Sequence, residues 1–250
     1  MPPRKVHTTS LCWVPAVDQQ EPIQRLRVEH DRQIGRWPPH VNVLYPFVPI
    51  DEFEEAVTRL SHALAAIPAF DVAMCRLQRF THGKKSLTAW LAPEPDAASP
   101  PDAWQTLQAL CQRAFPHCTD QTDRGGAFVA HLTVGQFTQA DLVDQLQASL
   151  ERSWQPLRCA VGSLVLISRA GQDQPFLVHW RVPLGGDAPQ RAAPPLERGV
   201  WLPDEPTERG PDASAAERAP LAEVDAAADP LRVTVAANTD ATMSLVVEVR

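Results

Sequence analysis

The sequence predicts an α+β fold in which one unit of strands and helices occurs twice, followed by an acidic tail. Strand and helix patterns alternate through residues 1–185. A histidine-bearing strand pattern occurs in each copy, "HVNVLYPFV" at 40–48 and "FVAHLTVGQF" at 128–137, and the composition changes sharply after "RVPLGG" at 181–186. We therefore expect two antiparallel-sheet lobes with outer helices, related by a pseudo-twofold axis.

The predicted elements follow the same order in both copies. The first copy is predicted to contain a strand at 8–16, a helix at 21–31, the histidine strand at 40–48, a helix at 53–67, and a strand pair at 70–80 and 86–94. The second copy is predicted to contain a helix at 103–115, the histidine strand at 128–137, a helix at 139–154, and closing strands at 157–169 and 175–184. The clearest helix has apolar residues at helical spacing, namely Phe53, Ala56, Val57, Leu60 and Leu64.

The tail differs from the rest of the chain in composition and charge. Residues 1–185 hold 17 Lys and Arg against 18 Asp and Glu, whereas residues 186–250 hold 6 against 12, so most of the net charge of −7 lies in the tail. Runs of Pro, Ala, Glu and Asp cannot bury enough apolar area to fold alone. We predict one domain at 1–186 and a mostly disordered tail at 187–250, with short strands near 231–250.

The remaining totals exclude several classes of protein. No apolar run reaches the roughly 18 residues of a membrane span, and the N-terminus lacks the apolar core of a signal peptide. The five cysteines are scattered without a C-x-x-C pair, which suggests neither a disulfide framework nor a metal site. We expect a monomeric, cytoplasmic or nuclear protein without a cofactor.

The two histidine strands carry the chemistry. Because strand side chains alternate between faces, His40 shares a face with Asn42, and His131 with Thr133. One imidazole can remove a proton and another can deliver one, which phosphodiester cleavage requires, and each transfer contributes about 10² to 10⁴ in rate. Asn42 and Thr133 can donate to phosphate oxygens, so this scheme needs no metal.

A single histidine in a strand is more often structural than catalytic, and we interpret the other six histidines in that way: His7, His30, His62, His82, His117 and His179. A single H-x-[ST]-x match is also weak. Two such matches, 91 positions apart and at the same place in a repeated unit, favour one shared active site.

The two motifs resemble those of the 2H phosphoesterase superfamily, in the branch similar to bacterial 2'-5' RNA ligases. The resemblance extends to "TSLCWVP", "HVNVLYPF" and "SLTAWLAPEP", and to "LVLISRAGQDQPFLVHWRVPLG", which is similar to the hairpin that closes the second lobe. It covers residues 7–186.

The resemblance implies a bilobal fold with a concave cleft, in which His40 and His131 act as acid and base on a cyclic phosphate held by Thr133. Members open 2',3'-cyclic phosphates of RNA ends or nucleotides, trim RNA 3' ends, or run the reverse reaction as 2'-5' ligases. Asn42 stands where the family usually has Thr or Ser. An amide can still donate to phosphate, although the site could also be degenerate. Which histidine is the acid, and whether hydrolysis or ligation dominates, stays open.

Three further residues have two interpretations each. Tyr45 packs beside Phe47 or stacks on a base. Arg169 reaches the phosphate or is a solvated surface residue. Trp37 caps the first motif strand or provides a stacking platform.

Two other hypotheses compete with the enzyme. In one, Asn42 has disabled the chemistry and the protein only binds RNA ends or nucleotides. In the other, the acidic tail is a docking arm for another protein.

Overall fold

The computed structural model describes residues 3–83, 85–123, 126–192, 234–237 and 243–246. The chain divides into two units, Met1–Glu205 and Pro206–Arg250. In the second unit two short strands pair antiparallel, within the segment predicted to hold them. The disorder predicted for the tail falls mainly on residues 193–233, which lie outside the described residues, and it stays a prediction.

Four helices and eleven strands make up the described chain. The helices are α1 (Val17–His30), α2 (Phe53–Leu64), α3 (Ala103–Ala114) and α4 (Ala140–Ser153), and a 3-10 turn (Ile50–Glu52) precedes α2. The strands are β1 (Thr9–Trp13), β2 (Val41–Leu44), β3 (Phe70–Gly83), β4 (Ser86–Pro95), β5 (Leu132–Phe137), β6 (Leu157–Val161), β7 (Ser163–Ser168), β8 (Leu177–Pro183), β9 (Gln190–Arg191), β10 (Thr234–Ala237) and β11 (Met243–Val246). None of the described helices has the length and hydropathy of a membrane span.

The first unit contains two antiparallel sheets, which confirms the predicted α+β class. The first sheet has the order β2-β1-β7-β8-β9, and the second has the order β5-β4-β3-β6. Both motif strands, β2 and β5, lie at a sheet edge. Each pairs with the strand that precedes it across one helix, β1 for β2 and β4 for β5. The two motifs therefore occupy equivalent positions in the two sheets.

The structure corrects the predicted extent of the two copies. The hairpin of β7 and β8 was expected to close the second lobe, but β7 pairs with β1 over Thr9–Ser168 to Cys12–Val165 and completes the first sheet. The second sheet is formed by the continuous segment from β3 to β6. Local hairpin patterns predict the strands but not their distant partners, because pairing across more than 150 residues leaves no periodic signal. Gln190 and Arg191, in the predicted tail, add a further strand to the first sheet.

The core follows from the apolar spacing of the helices. All five apolar positions predicted for α2 are buried and pack in one cluster that also contains residues of both sheets. Helix α1 belongs in sequence to the first sheet, yet it packs on β5 of the second. At their contact, a Cβ on Gly135 would lie 2.7 Å from His30 Cβ. A glycine here lets α1 approach β5 closely enough to join the two sheets.

Candidate active site

His40 lies immediately before β2, half-buried, with both ring nitrogens hydrogen-bonded. Nδ1 is 2.7 Å from the Pro38 carbonyl oxygen, which can only accept, so Nδ1 carries the proton. Nε2 is 3.0 Å from Asn42 Nδ2, which donates to its lone pair. Ser10 Oγ in turn donates to Asn42 Oδ1 at 2.6 Å and orients the amide. The contacts define a neutral imidazole in one tautomer.

Trp37 covers one face of the His40 ring. The two rings stack with centroids 4.5 Å apart and an interplanar angle of 13°. On its other side Trp37 packs against Phe176 at 3.9 Å and meets Tyr45 edge-on at 5.2 Å. In the free protein Trp37 is therefore a packing cap for the catalytic candidate, which agrees with the first of its two interpretations.

A buried ion pair, which the sequence did not predict as part of the site, lies behind His40. Arg27 Nε donates to Asp31 Oδ2 at 2.8 Å, and both side chains are 2 % exposed. Arg27 Nη2 also donates to the Trp37 carbonyl oxygen at 2.9 Å. Asp31 Oδ1 accepts from Gln136 Nε2 of β5 at 2.9 Å. The pair thus connects α1, the backbone that leads to His40, and the second motif strand.

The surroundings of His40 keep the ring neutral. Burial lowers the pKa of His40 to about 3, although the hydrogen bond to Pro38 raises it. The charges of Arg27 and His131 lower the pKa further, and Asp31 raises it. A neutral imidazole at physiological pH can accept a proton but has none to donate from Nε2.

His131 repeats the backbone geometry of His40 at the start of the second motif. Its Nδ1 lies 2.9 Å from the carbonyl oxygen of Val129, again two residues earlier in the chain. The ring meets the edges of Phe80 at 5.0 Å and Trp90 at 5.9 Å. Burial lowers the pKa of His131, the Val129 carbonyl raises it and the charge of His82 lowers it. The aromatic neighbours come from the β3–β4 hairpin, which sequence reasoning had not assigned to the site.

The two motif histidines influence each other electrostatically. The charge of His131 contributes to the lowered pKa of His40, after burial and the charge of Arg27. Thr133 is half-exposed and pairs in register with Trp90, whose ring contacts His131. His40 and Asn42 thus lie at the edge strand of the first sheet, and His131 and Thr133 at the edge strand of the second.

Tyr45 and Arg169 belong to a neighbouring cluster around Phe176 and Trp37. Tyr45 Oη donates to the His7 carbonyl oxygen at 3.3 Å, and its ring packs on Trp37 and His7 rather than beside Phe47. Arg169 is buried, so the solvated-surface interpretation is wrong. Its Nη1 and Nη2 donate to the carbonyl oxygens of Gln172 and His7, and its guanidinium lies over Phe176. Arg169 Nε is buried without a hydrogen-bond partner in the described chain.

Two surface depressions of the described chain include none of the four motif side chains. One of about 440 Å³ lies between β3 and α4 and is lined by no motif residue. A smaller one of about 230 Å³ includes Trp90 and Val129, which both contact His131, so it adjoins the second motif. Within the described ranges, no group of three or more His, Cys, Asp or Glu residues is arranged to hold a metal ion.

Comparisons with known proteins give one family match. A family model described as the 2'-5' RNA ligase superfamily matches residues 14–173. No curated protein sequence matches the chain significantly.

Solved structures include distant likenesses. The Escherichia coli LigT structure complexed with 3'-AMP has a TM-score of 0.46 and 15% sequence identity, and the match covers 72% of this chain and 99% of that one. The same protein complexed with phosphate gives 0.45 and 15%, over the same shares. The protein TT0787 of Thermus thermophilus gives 0.46 and 12%, again over 72% and 99%.

Proposed function

Because the chain belongs to the 2'-5' RNA ligase superfamily, whose model matches more than half of its length, we propose that it is a phosphoesterase for 2',3'-cyclic phosphates. The substrate is the cyclic phosphate at an RNA end or on a free nucleotide. The reaction opens the ring by hydrolysis, and the two motif histidines carry out both proton transfers without a metal ion.

In the proposed reaction His40 is the general base. Water attacks the phosphorus while His40 Nε2 takes its proton, and the bond from phosphorus to one ribose oxygen breaks. His131 delivers a proton to that leaving oxygen. Cyclic phosphate is an anion, and a nearby negative charge favours the imidazolium form, so substrate binding raises the pKa of His131 toward the range that an acid needs. Thr133 donates to a non-bridging phosphate oxygen.

One observation supports this proposal above the others. Both motif histidines bind a backbone carbonyl through Nδ1, at Pro38 and Val129, so Nε2 is the nitrogen that can take part in chemistry in each, and in His40 it is bound by the Asn42 amide in the free protein. Two imidazoles that are both anchored through Nδ1 and that influence each other's charge suit an acid and a base acting on one phosphate.

The test is a turnover assay on the purified full-length chain. Nucleoside 2',3'-cyclic phosphates and an RNA ending in a cyclic phosphate are supplied with a metal chelator, and a second RNA with a 5'-hydroxyl tests ligation. We expect His40→Ala and His131→Ala each to lower kcat/KM by about 10² to 10⁴. His62→Ala, on an exposed position of α2, is the matched control and should keep wild-type activity.

Two results would overturn the proposal. Turnover that survives loss of either motif histidine removes their assigned roles. Turnover that the chelator abolishes and a metal restores removes the metal-independent chemistry.

A second candidate function is capture of RNA ends or nucleotides without turnover. The observation that favours it is the Asn42 amide, which occupies the Nε2 atom of His40 in the free protein. Under this hypothesis ligand binds without reacting, and Asn42→Thr creates turnover. Under the enzyme hypothesis the wild-type chain turns over and Asn42→Thr gains nothing.

A further inference from the structure

We infer that Asn42, held by Ser10, is a positioning residue that keeps His40 aligned and unprotonated, and is not a phosphate ligand like its counterpart Thr133. This role deepens the proposed function, because it explains how the first motif can work with asparagine. The tautomer and the protonation of His40 do not depend on turnover and can be measured on the free protein.

A chain of three hydrogen bonds supports the inference. Ser10 Oγ donates to Asn42 Oδ1 at 2.6 Å, Asn42 Nδ2 donates to His40 Nε2 at 3.0 Å, and His40 Nδ1 donates to the Pro38 oxygen at 2.7 Å. The chain runs from β1 into β2, which are paired strands with Cys12 opposite Asn42. Both ring nitrogens are therefore fixed in the plane of the imidazole, and Trp37 fixes the plane itself.

Among the described residues, the second motif shows no such chain of hydrogen bonds. His131 shares the Nδ1 contact with a backbone carbonyl, but no side-chain amide of the described residues binds its ring. Thr133, half-exposed beside it, has a hydroxyl that ends one atom closer to the backbone than the Asn42 amide nitrogen does. The longer asparagine side chain reaches the histidine two residues before it, whereas the threonine hydroxyl stays available to an anion.

The hydrogen bond from Asn42 has a definite effect on protonation. A donor directed at Nε2 stabilises the neutral ring and disfavours the imidazolium. The charged and titratable groups that act on His40 are Arg27 of α1, Asp31 directly after α1 and His131 before β5, and the two members of the ion pair act in opposite directions. Asn42 adds a contact that is uncharged and directed at the reacting atom.

The same residues can accommodate the proton when it arrives. Once Nε2 carries a proton it needs an acceptor, and a half-turn of the amide presents Asn42 Oδ1 to it. Asn42 Nδ2 then donates to Ser10 Oγ, whose hydroxyl can donate to the Leu44 carbonyl oxygen, 3.4 Å away. Ser10 thus serves both protonation states, and the proton taken from water stays on His40 until it returns to solvent.

The test is a titration of the full-length chain labelled with nitrogen-15 in histidine, which reports the tautomer and the midpoint of each ring. We expect wild-type His40 to carry its proton on Nδ1 and to stay neutral to low pH. Asn42→Ala should move the His40 midpoint upward, and the nearly isosteric Asn42→Asp should move it further, because a carboxylate favours the charged ring. Ser10→Ala should give a smaller rise, and Thr133→Val should leave the His40 midpoint unchanged.

Kinetics provide the second readout. The acidic limb of the pH profile of kcat/KM should move upward in the same order as the midpoints, and Asn42→Asp should lose at least about tenfold in kcat/KM at pH 7 with little change in KM. A residue that only supports folding would lower stability without moving either readout.

The outcomes separate the inference from the proposed function. A wild-type His40 with its proton on Nε2, or a midpoint that stays fixed in both Asn42 variants, overturns the inference whatever the activity. Absence of wild-type turnover together with the expected midpoints overturns the proposed function and supports the inference.

Discussion

The two histidine motifs share their local geometry and differ in everything that surrounds them. In each, the ring binds the carbonyl oxygen two residues earlier, Pro38 for His40 and Val129 for His131. The first ring is enclosed by a stacked Trp37 and a polar network, whereas the second meets the edges of Phe80 and Trp90. The motif itself sets the orientation of a ring, and distant segments set its protonation.

The difference follows from the partners of each motif strand. Strand β2 lies beside β1, which brings Ser10, and near the end of α1, which brings Arg27 and Asp31. Strand β5 lies beside β4, and the hairpin that β4 forms with β3 brings Phe80 and Trp90. The first motif therefore has a polar network suited to a neutral base, and the second has aromatic neighbours beside a partly exposed threonine.

Among the changes that affect the two motifs differently, Arg27→Ala is expected to cause the largest loss of stability. The change leaves Asp31 buried without its partner, and removing one member of a buried pair costs about 3–5 kcal/mol. It also frees the Trp37 carbonyl oxygen that Arg27 holds, so the first motif should lose order before the second. Urea unfolding measures the loss of stability.

Arg25→Ala is the matched control for this change. Arg25 pairs with Glu21 at the same i,i+4 spacing on the same helix, but those side chains are 77 % and 72 % exposed. An exposed pair contributes about 0–1 kcal/mol. Equal losses for the two variants would show that the Arg27 pair does not support the site.

A smaller effect is expected from Thr133→Val, which sharpens the contrast between the motifs. Valine keeps the shape and removes the hydroxyl, so the variant loses one hydrogen bond to charged phosphate, about 1.5–3 kcal/mol of transition-state binding. We expect kcat/KM for a cyclic nucleotide to fall by about ten- to a hundredfold, with Thr133→Ser near wild type. A loss confined to folding stability would contradict phosphate binding by Thr133.

Much of the fold was predictable because its signals are local. The spacing of apolar residues in α2 predicted its start at Phe53 and its buried face. Helix α1 starts at Val17, four residues before the predicted Glu21. The earlier start was missed because the first turn is mostly polar and Pro22 follows it. The partner of β7 was missed for the reason that it lies far away in the chain.

The motifs predicted His40, Asn42, His131 and Thr133 as site residues, but they gave no sign of the buried ion pair. Glu21–Arg25 and Arg27–Asp31 both combine an acid and a base four residues apart, in opposite order. The second pair is buried and the first is exposed, and a spacing of charges in the sequence does not predict this difference in burial. Ser10 and Phe80 were missed because a strand pattern does not show which residues of other strands lie beside each position.

Per pH unit, the smallest expected effect is the pH dependence of stability that His40 contributes. Its pKa is about 6.5 in the unfolded chain and is lowered to about 3 by burial, so between these values the unfolded chain binds a proton that the folded chain does not. Stability from the neutral ring is therefore complete above about pH 6.5 and declines as the pH falls toward 3. The slope that one such proton adds is at most about 1.4 kcal/mol per pH unit.

Urea unfolding from pH 7 to pH 4 should give a shallower decline for His40→Asn than for wild type, while exposed His62→Asn keeps the wild-type slope. Because the carboxylates titrate alike in all three chains, their contribution cancels in the comparison. Identical slopes for wild type and His40→Asn would mean that the ring protonates freely in the folded protein, and the proposed difference between the two motifs would then be lost.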